Sequence, residues 1–119
     1  MSGKTCPFCD VRRLALVAEN GLAFAVRDNA PVRPLHTLII PRRHIASVFE
    51  ATPEELQAVH ELATKARTSI LQADPSVQGF NFGSNIGAVA GQMVFHAHVH
   101  LIPRRAGDTP LTPAGPHEQ

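Results

Sequence analysis

Two kinds of apolar pattern divide the chain. Residues 14–19 (LALVAE) and 22–27 (LAFAVR) are short apolar runs separated by Asn20-Gly21. A turn dipeptide between strand-like runs predicts a hairpin. Asp28-Asn29-Ala30-Pro31 breaks the second run, and residues 36–40 (HTLII) make a further strand candidate, stopped by Pro41, which brings no ladder donor. From Thr52 the period changes. Leu56, Val59, Leu62, Ala63, Ala66 and Ile70 recur at spacings of three and four, which predicts one apolar helix face. Thr52 is suited to cap the free amides, Pro53 to the first turn, and Glu55 to a capping box. Asp74-Pro75 closes a helix of about five turns. Residues 77–82 (VQGFNF) and 94–102 (VFHAHVHLI) return to a strand pattern, the second ended by Pro103. Between them Gly83, Gly87 and Gly91 give a loop of small residues with backbone freedom and accessible amides. A hairpin first, a long helix in the middle and strands afterwards predict an antiparallel α+β domain.

The size, 119 residues with 44% hydrophobic, suits one compact domain. Its high surface-to-volume ratio gives a physical motive for association. A net charge of +1 provides no general attraction for long nucleic acids or an anionic membrane. Arg42-Arg43 and Arg104-Arg105 are short basic pairs, read as solvent-facing charge. No run approaches the roughly 20 apolar residues that span a bilayer. The opening MSGKTCPFCD lacks the apolar centre of a signal peptide, so a cytoplasmic location is expected. Both cysteines lie in Cys6-Pro7-Phe8-Cys9, a spacing compatible with half of a metal site, a reduced pair or a redox pair.

The candidate chemistry is concentrated in residues 94–102. His96, His98 and His100 alternate with Ala97, Val99 and Leu101. In a strand that spacing places all three imidazoles on one face, about 6.6 Å apart. A single histidine on a sheet is ordinarily a satisfied side chain without a catalytic role. Three in alternation beside a glycine loop point instead to a groove. Imidazole suits base, acid and nucleophile near neutrality, and it also binds metals.

Residues 91–102, Gly91-Gln92-Met93-Val94-Phe95-His96-Ala97-His98-Val99-His100-Leu101-Ile102, resemble the signature of the histidine-triad (HIT) superfamily. Cys6-x-x-Cys9, Asp28, His36, Pro41-Arg42-Arg43-His44, Asn81 and Asn85 appear in the expected order, so the resemblance covers roughly residues 5–105. It implies a HIT-like α+β fold: a mainly five-stranded antiparallel sheet with one long and one shorter helix, joined across a homodimer. The domain would span residues 1–105, leaving 106–119 as a Pro/Gly-containing tail.

The resemblance, closest to the purine nucleoside phosphoramidase branch, also implies roles. His98 would be the nucleophile on the α-phosphorus, its second ring nitrogen held by a backbone carbonyl within the triad. His100 would contact the phosphate, and His36 would be a further active-site histidine. Gln92 and Asn85 would serve the phosphate and leaving group, and Asp28 the ribose hydroxyls, with Asn29 beside the base pocket. Cys6, Cys9, His44 and His96 would hold a structural zinc, with no organic cofactor.

One departure concerns Met93, where many members carry Ser or Thr. Methionine cannot donate a hydrogen bond to a leaving group, and one well-aimed donor is worth about 3–4 kcal/mol in a transition state. The expected function is a purine nucleoside phosphoramidase-like hydrolase. A dinucleoside polyphosphate hydrolase and a nucleotide-binding protein without turnover remain as alternatives.

Overall fold

The computed structural model describes residues 6–10, 14–28, 31 and 33–108. Asn29 and residues 109–119, where the base-pocket and tail expectations fall, lie outside these. Five strands, β1 (Leu16–Glu19), β2 (Ala23–Arg27), β3 (Thr37–Pro41), β4 (Val77–Gly83) and β5 (Val99–Arg105), form one antiparallel sheet in the order β1-β2-β3-β5-β4. Helix α1 (Pro53–Ala73) connects β3 to β4. The shorter helical pieces among the described residues are single 3-10 turns at Pro7–Cys9, Val48–Glu50 and Ala88–Ala90.

The predicted hairpin forms, but through the side chain of Asn20 rather than a left-handed Asn-Gly pair. Its Oδ1 accepts from the amides of Leu22 and Ala23 at 3.1 and 2.9 Å, and neither Asn20 nor Gly21 has a positive φ. Helix α1 starts as expected: the Thr52 side chain accepts from the Glu55 amide, and the Glu55 carboxylate accepts from the Thr52 amide. Asp74 closes it.

The buried stripe of α1 runs through Glu55, Ala58, Val59, Leu62, Ala63, Ala66 and Ile70. Leu56, expected on that face, is 47% exposed, because the stripe is shifted toward Glu55. Glu55 tolerates burial because its carboxylate meets the Arg43 guanidinium at 3.0 and 2.9 Å as well as the helix cap.

The helix packs on one sheet face against Ala23, Ala25, Ile39, Val99 and Leu101. The other face carries Phe24, Val26, Leu38 and Ile40, covered by Phe8 with Cys6, Leu14 and Val94. Strands β2 and β3 are therefore apolar at successive positions, as strands buried on both faces are. Leu38 pairs with His100, so His100 faces the side away from α1.

Candidate active site and metal cluster

The fold brings the histidines together by a route different from the expected one. Strand β5 begins at Val99, so only His100 of the triad lies in it; residues 94–98 have left the ladder. Pairing with β3 ends at Ile39↔Val99 and pairing with β4 at Gly83↔His100. Other groups then satisfy the backbone. The Ala97 amide donates to the Ile45 carbonyl at 2.6 Å, and the Ser84 hydroxyl donates to the His98 carbonyl at 2.7 Å. Pro103 does not end the strand either. Register with β3 stops at Leu101, so at Pro103 the ladder has only β4 as a neighbour, and a missing donor is tolerated there.

Leaving the ladder sets His96 and His98 in different surroundings. The His98 Nδ1 lies 2.8 Å from the His96 carbonyl. A carbonyl oxygen only accepts, so Nδ1 carries the proton and the neutral ring keeps its lone pair on Nε2. An extended strand aims its carbonyls sideways at neighbouring strands, so this bond within the segment depends on the bend. His98 is buried, with Phe8 edge-on at a ring separation of 5.1 Å and His100 at the same separation.

His100 belongs to a chain of polar contacts on the same side of the sheet. The Asp28 amide donates to the His36 carbonyl at 3.0 Å, extending the β2–β3 ladder by one pair. The Asp28 carboxylate lies 3.4 Å from His36 Nδ1, and His36 Nε2 lies 2.9 Å from His100 Nδ1. The carboxylate favours the proton on His36 Nδ1, which makes Nε2 the acceptor and His100 Nδ1 the donor. Burial, then the neighbouring His98 and His36, pushes His100 down to about 4. Burial also lowers His36, opposed by Asp28.

Gln92 is buried with its amide committed to backbone. Oε1 accepts from the Gly87 amide at 2.8 Å, and Nε2 donates to the carbonyls of Ala46 and Val94 at 2.9 and 3.0 Å. Gly87 and Gly91 need positive φ values, 91° and 98°, to close this loop, which explains glycine at both positions. Asn85 is exposed and borders Gly91. Met93 is 89% exposed. Asn81, on β4, accepts from the Arg104 guanidinium at 2.5 Å.

The third group is a cluster of ligand atoms. Those of Cys6, Cys9, His44 and His96 all lie within 4.8 Å of one another. Cys9 Sγ is 3.1 Å from His44 Nδ1 and 3.7 Å from His96 Nδ1; Cys6 Sγ is 3.5 Å from His96 Nδ1. Tetrahedral zinc, with bonds near 2.3 Å to sulfur and 2.0–2.1 Å to nitrogen, places S and N about 3.5 Å apart. The donor set therefore fits such an ion. His96 Nε2 donates to the Pro41 carbonyl at 2.7 Å, which turns Nδ1 toward the thiols and supplies the outer hydrogen bond that ligating histidines use.

Residues 12–107 match the HIT domain model. The chain belongs to the HIT family. A HIT-like protein of Mycoplasma genitalium named MG132, itself uncharacterised, is 39% identical over 105 residues, 84% of this chain and 73% of that one. Adenylylsulfatase HINT3 of Arabidopsis thaliana is 33% identical over 107 residues, 87% of this chain but 54% of that longer protein. A zinc-bound histidine triad family protein of Mycobacterium smegmatis has a TM-score of 0.79 at 27% identity, over 90% of this chain and 80% of the other. HIT is a family of nucleotide-binding proteins with hydrolases among them.

Two site-forming residues escaped the sequence reading. Phe8 was visible only as the apolar residue between two cysteines. Ser84 was one polar residue in a small-residue loop. Their contacts with residues 90 and 14 positions away depend on the fold.

Proposed function

We propose that this protein is a nucleotide hydrolase that cleaves purine nucleoside phosphoramidates at the α-phosphorus through a nucleotidyl-His98 intermediate. The observation that carries the reading is the 2.8 Å bond from His98 Nδ1 to the His96 carbonyl, which leaves a lone pair on Nε2. In the first step Nε2 forms a bond to phosphorus. The phosphorus–amine bond breaks, its electron pair leaves with the amine, and the amine takes up a proton. Water then attacks the same phosphorus and gives up a proton to solvent, which replaces the one taken up by the amine. The phosphorus–imidazole bond breaks, its electron pair returns to Nε2, and a nucleoside monophosphate departs.

His100 meets the phosphate, whose negative charge supplies the counter-charge that favours a protonated ring. His36 holds the His100 ring. Asp28 accepts from the ribose hydroxyls beside His36. Asn85 serves the phosphate and leaving group, and Gln92 acts through the loop it braces. Cys6, Cys9, His44 and His96 hold a structural zinc, supported by the fit of their separations to tetrahedral geometry. Two cysteines kept as thiolates suit a reducing, cytoplasmic setting. No helix among the described residues is long and apolar enough to cross a membrane.

Met93 favours a second reading, nucleotide binding without turnover, because an exposed thioether offers the leaving group no donor. Intact-mass analysis after rapid mixing with a slowly hydrolysed adenosine phosphoramidate separates the two. The expected result is a nucleotidyl adduct on the native chain and none on His98→Ala. Unchanged turnover by His98→Ala removes the nucleophile; binding without adduct or turnover establishes the second reading.

A further inference from the structure

The Cys/His cluster and the His98 imidazole share two structural links. The first is His96. Its ring contributes Nδ1 to the cluster, while its own carbonyl holds the proton of His98 Nδ1. The ring is fixed on the far side by the Pro41 carbonyl, so the residue has little freedom to serve one duty without the other. The second is Phe8. It lies in the 3-10 turn Pro7–Cys9, whose backbone bond from the Cys9 amide to the Cys6 carbonyl closes the loop between the two thiols. The Phe8 ring is buried and stands edge-on to both His98, at 5.1 Å and 72°, and His96, at 6.1 Å and 78°. An ion bound by both thiols would hold that turn, and with it the ring that packs on His98.

We infer that metal occupancy of the cluster and nucleotide occupancy of the His98 site are thermodynamically coupled, with Phe8 as the positioning residue that carries part of the coupling. The inference rests on the hydrolase reading for the identity of the second ligand. Its sign follows from the geometry. A nucleotide phosphate at His98 favours the arrangement in which Nδ1 is tied back to His96 and Phe8 is packed. The ion favours the same arrangement, because it needs the His96 ring and the Cys6–Cys9 turn in place. Two ligands that prefer one state strengthen each other, and by linkage the factor is the same in both directions.

The Phe8 contact separates this coupling from a purely structural staple. A staple would stabilise the fold and leave the relation between the two affinities at unity. Coupled sites in proteins ordinarily show factors of about 5–150. Two links through rigid, buried groups place the expected factor at about fivefold or more.

The test is a chelator-competition titration of the full-length protein with zinc, run with and without saturating AMP, while AMP binding is measured directly by calorimetry. Zinc is expected to bind at about one per chain, and AMP to tighten it about fivefold or more. Phe8→Ala keeps all four ligands, so zinc still binds, but the factor falls at least twofold. Phe8→Leu, which refills most of the volume, restores part of it and serves if the alanine variant does not fold. His98→Ala removes both links at once and brings the factor to one. If AMP binds and zinc affinity does not change, the coupling is overturned and the hydrolase reading survives. A chain that binds zinc but no nucleotide overturns both, and one that binds no zinc overturns the coupling together with the metal site.

Discussion

Burial of imidazoles decides the pH response of the site, residue by residue. Unfolded His100 takes up its proton near pH 6.5, and burial beside His98 and His36 lowers that to about 4 in the folded chain. Between these values the unfolded state binds more protons, so this stabilisation is complete above about pH 6.5 and disappears as pH falls through about 4. His36 shifts in the same direction. Urea unfolding should therefore show the native chain losing more stability between pH 7.5 and 5 than His100→Asn, which lacks the titrating ring. Equal losses would mean that His100 is protonated alike in both states. The residues that the fold brings together here, His36, His98, His100, Asp28, Cys6, Cys9, His44 and His96, could all be named from the sequence. Their division of labour was less legible, because it rests on one carbonyl. Nothing in the spacing of His96 and His98 shows that the main chain of one would hold the ring of the other.

Helix α1 and the triad segment show what element-scale patterns do and do not carry. A cap is a local object, made by residues three apart, so Thr52, Pro53 and Glu55 predicted the helix start correctly. The same carboxylate also meets Arg43, and Arg43 with the Thr52 amide holds Glu55 at about 2. Glu55 thus stabilises the fold above about pH 4.5, and the contribution is lost as pH falls through about 2. Glu55→Ala should cost about 1–2 kcal/mol in chemical denaturation, the range for a lost cap. Glu55→Gln should cost less, since the amide oxygen still accepts from Thr52 while the half-exposed Arg43 is screened by water. Equal costs for the two variants would assign the effect to charge rather than to the cap.

The triad segment failed as a strand for a non-local reason. Alternation of His96, His98 and His100 satisfies the strand rule, but a strand also needs neighbours. Pairing reaches back only to Val99 on the β3 side and to His100 on the β4 side. Pro103 leaves β5 intact for the converse reason: one side of the strand is unpaired with β3 at that point, so the missing donor costs no ladder bond there.

At the scale of the whole molecule, the sheet is incompletely covered. Helix α1 lies over β2 and β3, leaving a hollow of about 370 Å³ lined by His60, Ala63, Thr64, Arg67, Phe80, Phe82 and Leu101. Phe82 is 53% exposed, and β4 is an edge strand paired only with β5. A long edge with apolar side chains beside it is a template for pairing with another chain. We propose that a second copy covers this side as a homodimer. Sedimentation at micromolar concentration is expected to give twice the chain mass, and Phe82→Glu to shift the population toward monomer. A native chain that sediments as a monomer would remove the dimer.

Local rules sufficed for the helix and most strands, though not for the bounds of β5, and for the residue types of the site. Strand period, helix period, capping and proline punctuation act over a few residues, so they can be read along the chain. The sequence order of cysteines, histidines and Asp28 was also enough to suggest the family. Tertiary structure alone decided which backbone groups lacked a strand partner. That shortage bent residues 94–98 out of the sheet, turned the His96 ring toward the thiols and its carbonyl toward His98, and set Phe8 against the imidazole. Those contacts join positions far apart in the chain, and no periodicity records them.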